Sequence, residues 1–125
     1  MTDFLVSKYG PVFESLIDTS RVAAIDEGVS NREIYTALQK LSIDNAFTDP
    51  IIDEDYAAAC ISGVWLWNDF LDESHTISQE IHTTTGSFWH GIMHRRERDY
   101  SNSKYWFRKV RYHKVFDAVA QQAVE

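Results

Sequence analysis

Residues 54–72 read EDYAAACISGVWLWNDFLD, and the architecture hangs on how that run is taken. It is the longest element in the chain. Tyr56, Cys60, Ile61, Val64, Trp65, Leu66, Trp67, Phe70 and Leu71 make it apolar almost all round. A helix of that kind is normally central and mostly buried. The spacing predicts a central apolar helix over about 54–72, with the other elements wrapped around it.

Outward from that run, the chain reads as helical on both sides. Pro11 to about Ile17 forms a short helix whose apolar side is Val12, Phe13, Leu16 and Ile17. Ser30-Asn31-Arg32-Glu33 has the pattern of a capping box. The helix it opens runs to about Leu41, with Ile34, Leu38 and Leu41 at helical spacing. Ser42 to Asp53 is a loop. After the central run, a turn or two covers Ser74 to His82, and Thr83-Thr84-Thr85-Gly86 is a break. Ser87 then caps a helix over about 88–98, and Asp99-Tyr100-Ser101-Asn102 is a turn with a new cap. Lys104 to Val110 also suits strand alternation, but helix is preferred. A last helix holds Val115, Phe116, Val119 and Ala120. With two prolines, five glycines and no internal repeat, the expected fold class is all-α, a single compact helical domain over 1–125.

Composition narrows the function classes. The 125 residues are 44% hydrophobic and 25% charged, which suits a chain that buries roughly two-thirds of its unfolded surface. One cysteine, Cys60, excludes an internal disulfide and any CxxC motif. In its apolar helix it reads as an inert core thiol. No apolar run is long enough for a membrane-spanning helix. The opening MTDFLVSKYG lacks the pattern of a signal peptide. A reducing, cytoplasmic location is therefore expected. Charge is uneven. Residues 1–85 carry 4 Lys/Arg against 15 Asp/Glu, a net of −11, whereas residues 86–125 carry 8 against 4, a net of +4. The total of −7 opposes general nucleic-acid binding. The basic tail either pairs with the acidic body, in its own fold or across subunits, or receives a small anion.

Polar residues that interrupt the apolar pattern mark the candidate site. On a helical wheel from Phe88, the residues Phe88, Trp89, Ile92 and Met93 fill one arc, and Arg96 falls inside it at about 80°. A charge there is paired, lines a cavity, or sits where the helix frays and snorkels outward. His90 and His94 are four apart and point the same way, with Glu97 one turn beyond. Such a pair can chelate a divalent metal with the carboxylate as third ligand, or can serve as hydrogen-bonding edge residues. His90-Gly91-Ile92-Met93-His94 lacks the glutamate of HExxH, so metalloprotease chemistry is rejected. In the central run, Ile61, Trp65, Asn68 and Asp72 form one stripe with a polar second half. Asn68 and Asp72 are thus expected to floor a pocket, or to pair with Arg95 or Arg96. Asp69 and Glu73, on the face of Ser62, read as solvated. His75, Ser78, Gln79 and His82 continue as a polar stripe. Ser78 with His75 or His82 and Asp72 has the residue types of a hydrolase triad, but no GxSxG elbow accompanies them.

The segments LWNDFLDESHTISQEI (66–81) and GSFWHGIMHRRERDYSNSKYWFRKV (86–110) resemble a family of small uncharacterised bacterial and fungal proteins. That family shares an LWND…SHxxSQ segment and a WHxxMHRRE…DYSNxKYWFR segment. The resemblance covers part of the C-terminal half and brings no activity or catalytic residues with it. The family pattern places a glycine and a proline near Arg111 and Lys114, where this chain departs from it.

These readings converge on a small anionic ligand or substrate held in a His/Arg/Asp-lined pocket of the C-terminal half, with a divalent metal as the candidate cofactor. His75, His90, His94, Asp72 and Glu97 are the acid–base candidates. Asn68, Arg95, Arg96, Tyr100, Asn102, Lys104 and Arg108 are the ligand-binding candidates. His90 and His94 are the metal-ligating pair. The alternative is a non-catalytic interaction module, a homodimer whose interface draws on the four Trp, seven Phe and six Tyr residues. A single-strand binder using the basic tail is a third reading, opposed by the acidic body.

Overall fold

Asp53 starts the long apolar helix by accepting the amides of Asp55 (2.9 Å) and Tyr56 (3.2 Å) on its carboxylate. The structure, a computed structural model, describes residues 5–22 and 25–124. Residues 1–4 of the opening segment lie outside them. Among the described residues the chain is all-helical. Its helices are α1 (Pro11–Leu16), α2 (Tyr35–Gln39), α3 (Glu54–Trp67), α4 (Leu71–Ser78), α5 (Thr84–Arg96), α6 (Tyr100–Val110) and α7 (Val115–Ala123). No helix among them is long and apolar enough to cross a membrane.

The core forms on α3, as its sequence predicts. Ile61, Val64 and Trp65 pack with Phe13 and Leu16 of α1, Leu38 of α2, Ala46 and Phe70. Burying one such large apolar side chain contributes roughly 1.5–3 kcal/mol. By contrast α7 buries none of its residues, so it is peripheral. Helix α6 is a helix throughout, and Asp99 caps it through the amide of Asn102 (3.3 Å).

The central run does not stay one helix. It stops at Trp67 because Asp69 takes a left-handed conformation at φ 65°. The amide of Phe70 then bonds to the carbonyl of Trp65 (3.0 Å), and that of Asp69 to Leu66 (3.1 Å). This is a Schellman ending, completed by an edge-on contact between Phe70 and Trp65 at 5.4 Å. The same motif ends α5. Arg98 sits at φ 66°, Asp99 bonds back to His94, and Arg98 to Arg95.

Two other expected boundaries are corrected by tertiary bonds. Ser30 does not cap a helix. Its hydroxyl donates instead to the carbonyl of Asp69 (2.7 Å), and the segment after it begins as a tight turn over Arg32–Ile34. Helix α5 begins at Thr84, not after Ser87. Thr83 is its cap, accepting the amide of Gly86 on its side chain (3.3 Å). Ser87 is buried inside the helix.

Two contacts set the helices that carry the site. Ser62 of α3 donates to the carbonyl of Ser74 (2.9 Å), locking α4 onto α3 next to His75. Between α5 and α6, Gly91 gives room for the Phe107 ring, which a Cβ there would meet at 3.0 Å. Ser103 donates to the Gly91 carbonyl (2.7 Å) at the same crossing.

Candidate metal centre

Helices α4, α5 and α6 bring three histidines together. His75 comes from α4, and His90 and His94 come from successive turns of α5. One ring nitrogen from each lies within 4.8 Å of the others. His75 Nε2 and His90 Nε2 are 2.9 Å apart. Two ligands about 2.1 Å from one ion, at a right angle, would be about 3.0 Å apart. The pair also meets the requirements of a direct N–H···N hydrogen bond, one ring donating and the other accepting.

His94 is oriented from behind. Its Nδ1 bonds to Glu97 Oε1 at 2.6 Å, which leaves Nε2 as the nitrogen with a lone pair to offer. A carboxylate on the far side of a histidine is the usual support of a metal ligand. Asn102 of α6 approaches the same Nδ1 at 3.5 Å. Over His90 lies the indole of Trp106, stacked at 3.7 Å and nearly parallel. His90 is 4% exposed and His94 7%, whereas His75 is half-buried and gives the cluster its open side.

Burial pushes His90 down to about 4, with His75, His94 and then Lys109 adding to the effect. Burial also lowers His75, with His94 adding to it and Glu97 and Asp72 opposing. Both rings are thus neutral near pH 7, the form that offers a lone pair to a cation. His90 Nδ1 is buried and has no hydrogen-bond partner among the described residues, an exception to the general rule for buried polar atoms.

The structure rearranges the sequence-predicted residues. Glu97 stands behind His94 and not beside it, so His75 and not Glu97 completes the group of three. Asn68 and Asp72 do not floor a common pocket, because the helix break at Asp69 separates them. Asn68 is 1% exposed, and its amide donates to the carbonyls of Leu16 (3.0 Å) and Val64 (2.9 Å). Asp72 is exposed, and its carboxylate makes no hydrogen bond or ion pair among the described residues. The hydroxyl of Ser78 donates to the His75 carbonyl (3.3 Å), so the triad residue types do not assemble.

Arg96 takes the buried, paired option and is not free for a ligand. Its side chain donates to the carbonyls of Asp26 (3.1 Å) and Leu66 (3.2 Å) and to Asp69. Asp69 is therefore not solvated. It is 7% exposed and also pairs with Arg21 at 2.6 Å. Gly28 lets the 25–31 loop lie on this pair, where a Cβ would strike the carboxylate and the guanidinium. Arg95 is half-buried, with an unpartnered Nε. Tyr100, Lys104 and Arg108 are exposed. Lys104 borders a shallow recess with Phe107 and Arg108, apart from the histidines.

Sequence reasoning did not place Trp106 over His90. No spacing rule links residues 75, 90 and 106, because they sit on three different helices. Comparison with family models, with curated proteins and with solved structures returned no match for the chain, so its chemistry is read from these side chains alone.

Proposed function

We propose that this protein binds a divalent transition metal through His75, His90 and His94, and that the metal takes up a small anionic ligand or substrate. The observation that carries the reading is the convergence of three imidazole nitrogens within 4.8 Å, one of them backed by Glu97. All-imidazole donors suit zinc, copper, iron or nickel better than magnesium or calcium. Three protein ligands leave a coordination position for water or substrate oxygen. A metal so held can polarise that oxygen or turn bound water into a nucleophile. Glu97 and Asn102, both at His94 Nδ1, hold that ring so that its Nε2 is the nitrogen left to bind.

Elemental analysis of untagged, gel-filtered protein tests the reading. The expected result is about one equivalent of zinc, copper, iron or nickel per chain, lost in both His75→Ala and the His90→Ala/His94→Ala pair. Metal-free protein that also fails to take up zinc or cobalt on titration overturns it, and returns the histidines to a hydrogen-bonded structural role.

A further inference from the structure

On the other side of Trp106 from His90 lies a second concavity. It is a cleft of about 830 Å³ between the α4–α5 turn and the outer face of α6. Arg108, Lys109 and Arg111 line it from one side and His82 from the other, and no Asp or Glu side chain lines it. None of these cations is in an ion pair among the described residues. The four pairs found involve Arg21, His94, Arg96 and Arg98. Arg96 and Arg98 of the basic tail pair with Asp69 and Asp26 of the acidic body, whereas Arg108, Lys109 and Arg111 in this cleft have no such partner among the described residues.

We infer that this cleft is a binding site for a small organic phosphate. The charge favours that class over a simple carboxylate, and two further features suit an oxyanion. Several cations converge on one concave surface, which matches a dianion better than a monoanion. Two of them are arginines, whose planar guanidinium donates two parallel hydrogen bonds to a phosphate. Lys109 is also held in place, with its Nζ 4.6 Å over the Trp106 ring and 5.0 Å over Tyr105, so less freedom is lost on binding. The Thr84 and Ser87 side chains, at the start of α5, line the same cleft and supply hydroxyl donors, while Ile81 and Tyr105 give the organic part an apolar wall. The site is distinct from the histidine centre and needs no metal.

Calorimetric titration of the full chain with phenyl phosphate, benzoate and phenol, with and without EDTA, tests the assignment. Phenyl phosphate is expected to bind in both conditions and more tightly than benzoate, with phenol silent. The double variant Arg108→Gln/Lys109→Gln is expected to weaken binding by about tenfold or more. Lys114→Gln, outside the cleft, is expected to leave it unchanged. Circular dichroism checks that each variant is folded, and the exposed positions of residues 108 and 109 make that the expected result. Failure of phenyl phosphate to bind at millimolar concentration overturns the assignment, as does equal binding by the double variant. Loss of binding in EDTA also overturns it, because the anion would then sit on the metal.

Discussion

The protein contains two buried polar knots, and they are built on opposite principles. In one, Asp69 lies between Arg21 and Arg96. Both carboxylate oxygens are engaged, and all three Arg96 nitrogens donate, leaving only Arg21 Nε without a partner. In the other, His75, His90 and His94 face one another, and the only carboxylate bound to them lies behind His94. The first knot carries its own counter-charge. The second gathers like groups that discourage one another from taking protons and leaves His90 Nδ1 unpartnered. The first knot, one carboxylate between two guanidiniums, ties Arg21 to the ends of α3 and α5. A knot of like groups holds no opposite charge between its rings. That contrast separates the structural arginines from the candidate functional histidines.

The largest expected effect breaks the first knot. Asp69→Ala strands a buried guanidinium, and removing one partner of a buried pair costs about 3–5 kcal/mol. Urea denaturation measures it, and a loss below about 1 kcal/mol would remove the contrast. Next comes acid. His90 titrates at about 4 in the folded chain, below the ordinary value of 6.5, and His75 is lowered too. The unfolded chain therefore takes up protons first. Stability present above pH 6.5 is lost as the pH falls towards 4, by on the order of 3 kcal/mol for His90. Denaturation of metal-free protein across that range should show the slope, and His90→Phe should flatten it. An unchanged slope in the variant would show that His90 is not the group responsible.

Smaller effects sharpen the comparison. His75→Ala, at the half-buried edge, should change metal-free stability by no more than about 1 kcal/mol. If the cluster is a metal centre, the same variant should lose its metal. A large stability loss without any metal change would make the second knot structural like the first. The smallest effect concerns the end of α6. Arg111 has φ 59° and ψ −80°, a strained turn conformation that glycine adopts freely. Arg111→Gly should stabilise the fold by about 1 kcal/mol, because the relieved strain of about 1–3 kcal/mol exceeds the roughly 0.5–1 kcal/mol of added unfolded-chain freedom, and so raise the melting temperature by a few degrees. A lowered melting temperature would show that the Arg111 side chain contributes more than its backbone costs.

Much of the helical architecture was legible because it depends on local rules. The apolar run of α3, Pro11 opening α1 and a cap within residues 99–102 are patterns of residues close in sequence, although α6 begins at Tyr100 and takes in residues read as a turn. The errors share one cause, a distant partner outbidding a local preference. Ser30 looked like a cap until Asp69 offered its carbonyl. Asp69 looked solvated because its face also held Ser62, yet Ser62 is itself buried against Ser74. Asn68 and Asp72 looked like one stripe because a helix was extended through a residue that turns left-handed. At the candidate site, His90 and His94 were visible at their four-residue spacing. His75 was named for the same pocket, but its place as the third imidazole and the stacking of Trp106 were not legible, since each depends on where another helix lands.

By itself, the sequence determined that the chain is helical, that its longest apolar run is buried, and that its positive charge and its histidines gather in the C-terminal part. Those properties follow from periodicity and composition, which act over a turn or two of chain. Tertiary structure alone decided which polar residues are satisfied and which are left facing one another. Hydrogen bonds and ion pairs reach only about 3 Å, so whether Asp69 meets Arg96, or His75 meets His90, depends on the angle and register at which packed helices cross.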